Sequence, residues 1–285
     1  MIRELGLFFA CELFACAAPN VEHGVVNVDG GSLYYESAGD GAAVVLLHGG
    51  ATDRRLWDRQ FQSWAEEFRV VRYDERGFGK SISSKTPYGG HDDLGGLLDH
   101  LELQRATLVG LSLGGRIALD YAIEHPERVD ALVLVGAGIS GFDWSAGSVD
   151  FGLIDEAVRA GDGELAAERW LETDYMAPVM RNPATAPFVR RLTMENAASW
   201  LRTRVERELD PPAIARLHEV RVPVLVVVGE RDVPEIKRIA RHIATGVARS
   251  SEIILPGAGH LPNLEAPDRF ELTVRPFLSE HANDG

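Results

Sequence analysis

The sequence predicts an α/β fold: a mainly parallel sheet covered by helices on both faces and interrupted once by a helical insert. Three observations carry this. Short, nearly continuous apolar runs alternate with amphipathic stretches, as strands buried on both faces do when helices link them. Glycine-rich turns follow several of the runs, where a parallel sheet gathers its strand ends at one edge. The alternation then breaks for about eighty residues of helical pattern, far beyond an ordinary connection.

The elements follow in order. Residues 1–20, MIRELGLFFACELFACAAPN, form an apolar segment that reads as a signal peptide, an apolar helix or a mis-set start. Arg3 would be its basic end, Leu5–Ala18 its apolar stretch and Ala15-Cys16-Ala17 its cleavage site, while Glu12 opposes insertion into a membrane. The expected location is the cytoplasm, or outside it if this segment is an export signal. Both cysteines, Cys11 and Cys16, fall here, so the body of the chain carries no redox information.

Gly24–Ala38 reads as a hairpin about Asp29-Gly30-Gly31. Strands are expected at Ala43–Leu47, Val70–Tyr73, Ala106–Leu111, Ala131–Val135, Val222–Val228 and Glu252–Leu255. Helical patterns between them include Leu56–Phe68, Asp93–Leu103, Arg116–His125 and Glu235–Ala244. The core is therefore assigned to residues 21–137 and 222–285, and the insert to 138–221. The insert holds Trp144, Trp170 and Trp200 with Met176, Met180 and Met194. A small helical unit needs such residues for its own core, and those facing down would line an apolar pocket.

Composition excludes several classes. With 29 Lys and Arg against 43 Asp and Glu, the net charge is −14. That disfavours nucleic acid and anionic membranes as partners. Two cysteines cannot build a disulfide scaffold or a Cys₄ zinc site. No uninterrupted apolar run is long enough to span a bilayer as a helix.

The chemistry centres on Gly110-Leu111-Ser112-Leu113-Gly114, a G-x-S-x-G element placed between an expected strand and an expected helix. A serine there stands on a tight turn with its hydroxyl exposed at the sheet edge, and Gly110 and Gly114 remove side chains that would collide. Such a hydroxyl needs a base. Of nine histidines, His260 alone follows the last expected strand directly, in Gly257-Ala258-Gly259-His260. Asp232, in Gly229-Glu230-Arg231-Asp232 after another strand, is the carboxylate that would orient it, with Glu230 and Asp143 as rivals. For a tetrahedral oxyanion, the backbone N–H groups of Gly50 and Leu113 are the expected donors. His48 and Gly49 complete the loop before Gly50, and His48 is expected to hold that loop by hydrogen bonds.

At this point the sequence resembles the α/β-hydrolase superfamily. The matching pieces are His48-Gly49-Gly50, Asp74-Glu75-Arg76-Gly77-Phe78-Gly79-Lys80-Ser81, Gly110–Gly115, Pro223–Asp232 and Gly257–Pro267, in family order from about residue 24 to 280. The resemblance implies an eight-stranded, mostly parallel sheet with a helical cap between strands six and seven. The serine departs from dehalogenases and epoxide hydrolases, which carry Asp at that position. The cap length and Gly-Leu-Ser-Leu-Gly-Gly are similar to 3-oxoadipate enol-lactonases and small carboxylesterases. Asp74-x-Arg76-Gly77-x-Gly79 is read as a structural turn fixed by an Asp–Arg contact.

The expected function is cleavage of a small to medium carboxylic ester through a Ser112–His260–Asp232 acyl-enzyme, with no metal or organic cofactor. Lactone hydrolysis and C–C bond hydrolysis on the same triad stay open, as does a slow-turnover ligand receptor. The expected partner is a small-molecule ester or lactone, and the expected state a monomer or homodimer. Pocket candidates are Leu111, Leu113, Leu261, Trp57, Trp144, Trp170 and Met176. Arg54 and Arg55 would either meet a substrate carboxylate or be solvated surface charges.

Overall fold

A computed structural model describes residues 20–83, 86–144, 147, 149–202 and 206–282. The signal-like segment lies outside them, apart from Asn20.

The strands are β1 (Val21–Val28), β2 (Gly31–Ala38), β3 (Ala43–Leu47), β4 (Arg69–Tyr73), β5 (Ile82–Ser83), β6 (Ala106–Leu111), β7 (Val129–Val135), β8 (Val224–Gly229) and β9 (Ser250–Leu255). The helices of the core are α1 (Asp58–Trp64), α2 (Gly90–His100) and α3 (Leu113–Glu124). Between β7 and β8 come α4 (Gly152–Arg159), α5 (Gly163–Leu171), α6 (Ala177–Met180), α7 (Ala186–Glu195) and α8 (Ala213–Arg216). The chain closes with α9 (Pro234–Gly246), α10 (Pro262–Glu265) and α11 (Pro267–His281).

Eight strands form one path in the order β1-β2-β4-β3-β6-β7-β8-β9, and the two-residue β5 pairs with β2 as a ninth. β1 and β2 pair antiparallel through the expected hairpin, from Val28 opposite Gly31 to Val21 opposite Ala38. From β4 through β3, β6, β7 and β8 to β9 every pairing is parallel, so those six strands deliver their C-terminal ends to one edge. Every residue of β3, β6, β7 and β8 is buried, which is why their sequences are unbroken apolar runs. β9 is an edge strand and leaves Ile253 and Ile254 exposed.

Two differences from the sequence reading have local causes. The stretch expected to start a helix at Leu56 begins as a 3₁₀ turn, Arg54–Trp57, capped by the Asp53 carboxylate on the Arg55 N–H. The longest helix, α11, is absent from the periodicity reading because its apolar positions are sparse. It docks through Phe270, Val274 and Leu278.

Among the described residues no helix is long and apolar enough to cross a membrane. The insert keeps a small core of its own, in which Ile154, Ala157 and Ala166 pack against Trp170 and Trp200.

Candidate active site

Ser112 directly follows β6 and precedes α3, with φ 54° and ψ −109°. A residue with a Cβ rarely adopts a positive φ, and the surroundings hold it there. The Ser112 N–H donates to Val135 O at 2.9 Å, and Ser112 O accepts from Gly138 N–H at 3.0 Å. Glycine is required on both sides. A Cβ on Gly110 would sit 2.4 Å from Gly114 O, and one on Gly114 would sit 2.5 Å from Leu47 O. The chain thus passes close enough to β3 for the Gly114 N–H to reach His48 O at 3.1 Å.

The loop after β3 packs on this turn. A Cβ on Gly49 would meet Leu111 Cδ2 at 2.9 Å. His48 is fully buried; its Nδ1 donates to Gly49 O at 2.8 Å and its Nε2 accepts the Glu75 N–H at 2.9 Å. Acceptance at Nε2 needs the neutral ring, and burial lowers the His48 pKa. Leu113 is the first residue of α3, so its N–H has no carbonyl one turn back. Gly50 and Leu113 line the same cavity as Ser112.

Asp232 and His260 reach that edge on the turns after β8 and β9. The turns are tied by Arg231 N–H to Ala258 O at 2.8 Å and Glu230 N–H to Leu255 O at 3.0 Å. His260 Nδ1 lies 3.0 Å from Asp232 Oδ2 and 3.1 Å from Oδ1, with both side chains buried. A proton on Nδ1 satisfies this contact and leaves Nε2 as a lone-pair base. The rival carboxylates are placed otherwise: Glu230 accepts the Gly257 N–H at 2.9 Å, and Asp143 is exposed.

Sequence reasoning missed Glu265. Its two oxygens accept the N–H groups of Gly259 and Leu261, each at 2.9 Å, gripping the backbone on either side of His260. Burial raises its pKa against the pull of those two amides. Its spacing from His260 within one motif was the available signal. Tyr175, also missed, sets its ring edge-on to His260 with centroids 4.9 Å apart. Burial and the Asp232 charge push its phenol pKa up. Nothing in its local sequence announces that contact.

The cavity has a volume of about 390 Å³. Gly49, Gly50, Leu111, Ser112, Leu113, His260 and Leu261 form its core side, and Trp170, Met176, Ser199 and Trp200 come from the insert. Trp170 stacks on Tyr175 at 5.4 Å and meets Trp200 at 5.9 Å. One end is polar: Arg116, Arg202, Glu206, Glu208 and Tyr88 line it, none of them expected from sequence. Arg116 pairs there with Glu206 at 2.5 Å, and Arg202 lies over the Phe78 ring at 4.0 Å.

Several expectations need correction. Trp57 is not at the pocket; it is fully buried in the core, packs on Phe270 and donates its Nε1 hydrogen to Leu47 O at 3.1 Å. Trp144 is 42% exposed and packs edge-on with Phe142, away from the cavity lining. Arg54 is neither a substrate contact nor solvated: it is buried and paired with Glu36 and Asp74. Arg55 pairs with Asp53 and Glu195. The Asp–Arg contact expected within the 74–79 turn is replaced by two others, Asp74 with Arg54 and Arg76 with Asp93. Among the described residues, no group of three or more His, Cys, Asp or Glu side chains could hold a metal ion.

Comparison with known proteins agrees with this architecture. A relative from Caulobacter sp. (strain K31), provisionally named carbamate hydrolase RutD, is 31% identical over 271 residues, covering 90% of this chain and 98% of its own. A thermophilic esterase from Thermogutta terrifontis superposes with a TM-score of 0.75 at 26% identity, over 92% of this chain and 100% of that one. The enol-lactonase from Burkholderia xenovorans LB400 gives 0.73 at 26% identity, over 90% and 100%. Residues 44–271 match the model of the alpha/beta hydrolase family, and the chain belongs to that family.

Proposed function

We propose that this protein is a serine hydrolase that cleaves a small to medium carboxylic ester through an acyl-enzyme. The observation that carries the reading is the meeting of three strand-end loops on one cavity, with a fourth bonded to His260 from behind. These loops bring Gly50, Ser112 with Leu113, Asp232 and His260. A fold does not need this set for its stability.

The chemistry follows from the parts. His260 Nε2 takes the proton of Ser112 as the Ser112 oxygen attacks the ester carbonyl. The carbonyl oxygen becomes an oxyanion and accepts from the Gly50 and Leu113 N–H groups, at the start of α3 where the helix dipole favours negative charge. Asp232 holds the Nδ1–H tautomer and stabilises the imidazolium. His260 then returns the proton to the leaving alcohol. Water attacks the acyl-enzyme by the same route and frees the acid. Glu265 and Tyr175 steady His260 without meeting the carbonyl.

The aromatic roof and leucine floor suit an apolar acyl or aryl group, while the Arg116–Glu206 end suits a polar tail. The same steps would open a lactone or split a carbamate, the substrate types in the names of the enol-lactonase and the Caulobacter relative.

Initial rates on p-nitrophenyl esters of increasing acyl length, beside an enol-lactone and an aryl carbamate, test the reading. The expected result is repeated turnover of short esters that falls about a thousandfold or more in Ser112→Ala. Retention of most activity in that variant would sink the assignment.

A further inference from the structure

The catalytic steps leave several buried polar side chains of the insert unused, among them Ser140, Thr193 and Asn196. Asn196 follows α7 and is 4% exposed. Its Nδ2 donates to Leu192 O at 2.9 Å, closing its own helix, and to Asp53 Oδ2 at 2.8 Å. Its Oδ1 accepts the Gly79 N–H at 2.7 Å. Both donor hydrogens are used, and two of the three bonds cross from the cap to the core.

The two core partners flank the oxyanion loop. Asp53 stands at its end, three residues beyond Gly50. The Asp53 side chain is fully buried, accepts the Arg55 N–H at 3.0 Å and pairs with the Arg55 guanidinium at 2.6 Å. Arg55 in turn pairs at 2.6 Å with Glu195, the neighbour of Asn196. Gly79 lies in the turn that begins at Asp74 and contains Glu75, whose N–H holds His48 at the loop's other end. Between these anchors Ala51 has φ 60°, a strained conformation for a residue with a Cβ. Inside the loop the hydroxyl of Thr52 donates to Gly49 O at 2.6 Å. The loop that presents Gly50 is therefore fixed by the core at His48 and, at Asp53, by Arg55 of the core together with Asn196 of the cap.

We infer that Asn196 is a positioning residue that brings the Gly50 N–H into place only when the cap is seated, so that cap docking completes the oxyanion hole. The inference rests on the acyl-transfer reading above. Its consequence is selective. A substrate held under a lifted cap meets a floor with one donor misplaced, and rapid chemistry starts only once the roof has closed and excluded water. Because the donor acts on charge that develops in the transition state, its misplacement lowers kcat and leaves ground-state binding largely intact.

Asn196→Asp and the exchange Asp53→Asn/Asn196→Asp test this. Asn196→Asp keeps the side-chain size and the acceptor for Gly79 but sets a second carboxylate against Asp53. The expected result is a kcat on a short p-nitrophenyl ester lower by about tenfold or more, with KM within about threefold of wild type. Amide hydrogen exchange in residues 48–53 should speed up alongside. The exchange variant restores a donor opposite an acceptor between the two positions but sets a carboxylate against Leu192 O and an amide against the Arg55 guanidinium, so it should regain part of the loss. A folded Asn196→Asp with unchanged kcat, an effect confined to KM, or unaltered exchange in 48–53 overturns the inference. If Asn196→Asp does not fold, Asn196→Ser is measured in the same way. Wild type lacking Ser112-dependent turnover would instead overturn the acyl-transfer reading, and the exchange measurement would then decide the cap coupling alone.

Discussion

The floor and the roof of the cavity are held in different ways. On the floor, Ser112, Asp232 and His260 each stand a few residues beyond a parallel strand, and main-chain bonds between neighbouring turns fix their backbones. In the roof, Trp170 and Trp200 pack on each other and on a core of three small or aliphatic residues, while Tyr175 stacks on Trp170 and sits in the main core edge-on to His260. The floor inherits its geometry from the sheet; the roof joins its own small core to the main one, where Leu171, Tyr175, Met176, Val179, Val189 and Leu192 are seated. On the proposed mechanism, fixed donors and a fixed base suit the bond-breaking steps, and a lid built outside the sheet can vary its lining without moving the strand ends.

Substitutions can break or sharpen this contrast. Asp232→Asn touches the floor and should cost the most, about a thousandfold or more in kcat, because the Asn amide favours the wrong His260 tautomer. KM should change little. Steady-state kinetics check this, and a loss of only a few-fold would mean that another group orients His260.

A roof change should act on selection. Trp170→Ala removes a ring contact of both Tyr175 and Trp200, so the acyl-length optimum should move to longer chains. The kcat/KM for the shortest ester should fall about tenfold or less. An unmoved optimum would show that the roof does not size the acyl site.

The smallest effect concerns the polar tie between the two regions, read through acid stability. Burial raises the Asp53 pKa, but hydrogen bonds from Arg55 and Asn196 outweigh it, lowering the pKa from 3.8 to about 2. Between those values the unfolded chain binds the extra proton. The stability Asp53 contributes is therefore present above 3.8 and lost as pH falls through about 2. Asn196→Ala removes one of those bonds, so the midpoint of acid unfolding followed by circular dichroism should rise by about half a pH unit. An unchanged midpoint would mean that Arg55 alone sets the Asp53 charge.

The same contrast explains what the sequence disclosed. The floor was legible because each of its residues belongs to a short motif at a strand end, where the period of the pattern changes from sheet to helix. Its glycines mark close approaches, of Gly110 to Gly114 O within the turn and of Gly114 to Leu47 O on β3. The roof was half legible. Trp170 and Met176 were expected at the pocket and line it, while Trp57 and Trp144 were expected there and do not. An aromatic residue has no local signature that separates core, pocket and surface; Trp57 follows the loop after β3 but turns down onto Phe270. The charged end was illegible for a related reason. Arg116 and Glu206 are ninety positions apart, and only the folded chain brings them to 2.5 Å.

The account depends most on Ser112 being the nucleophile that carries the acyl group. Reaction with a fluorophosphonate, followed by intact mass and peptide mapping, tests that directly. The account predicts a single adduct on the peptide containing Ser112, formed by wild type and absent from Ser112→Ala. An adduct elsewhere in the chain, or one that persists in Ser112→Ala, would contradict it.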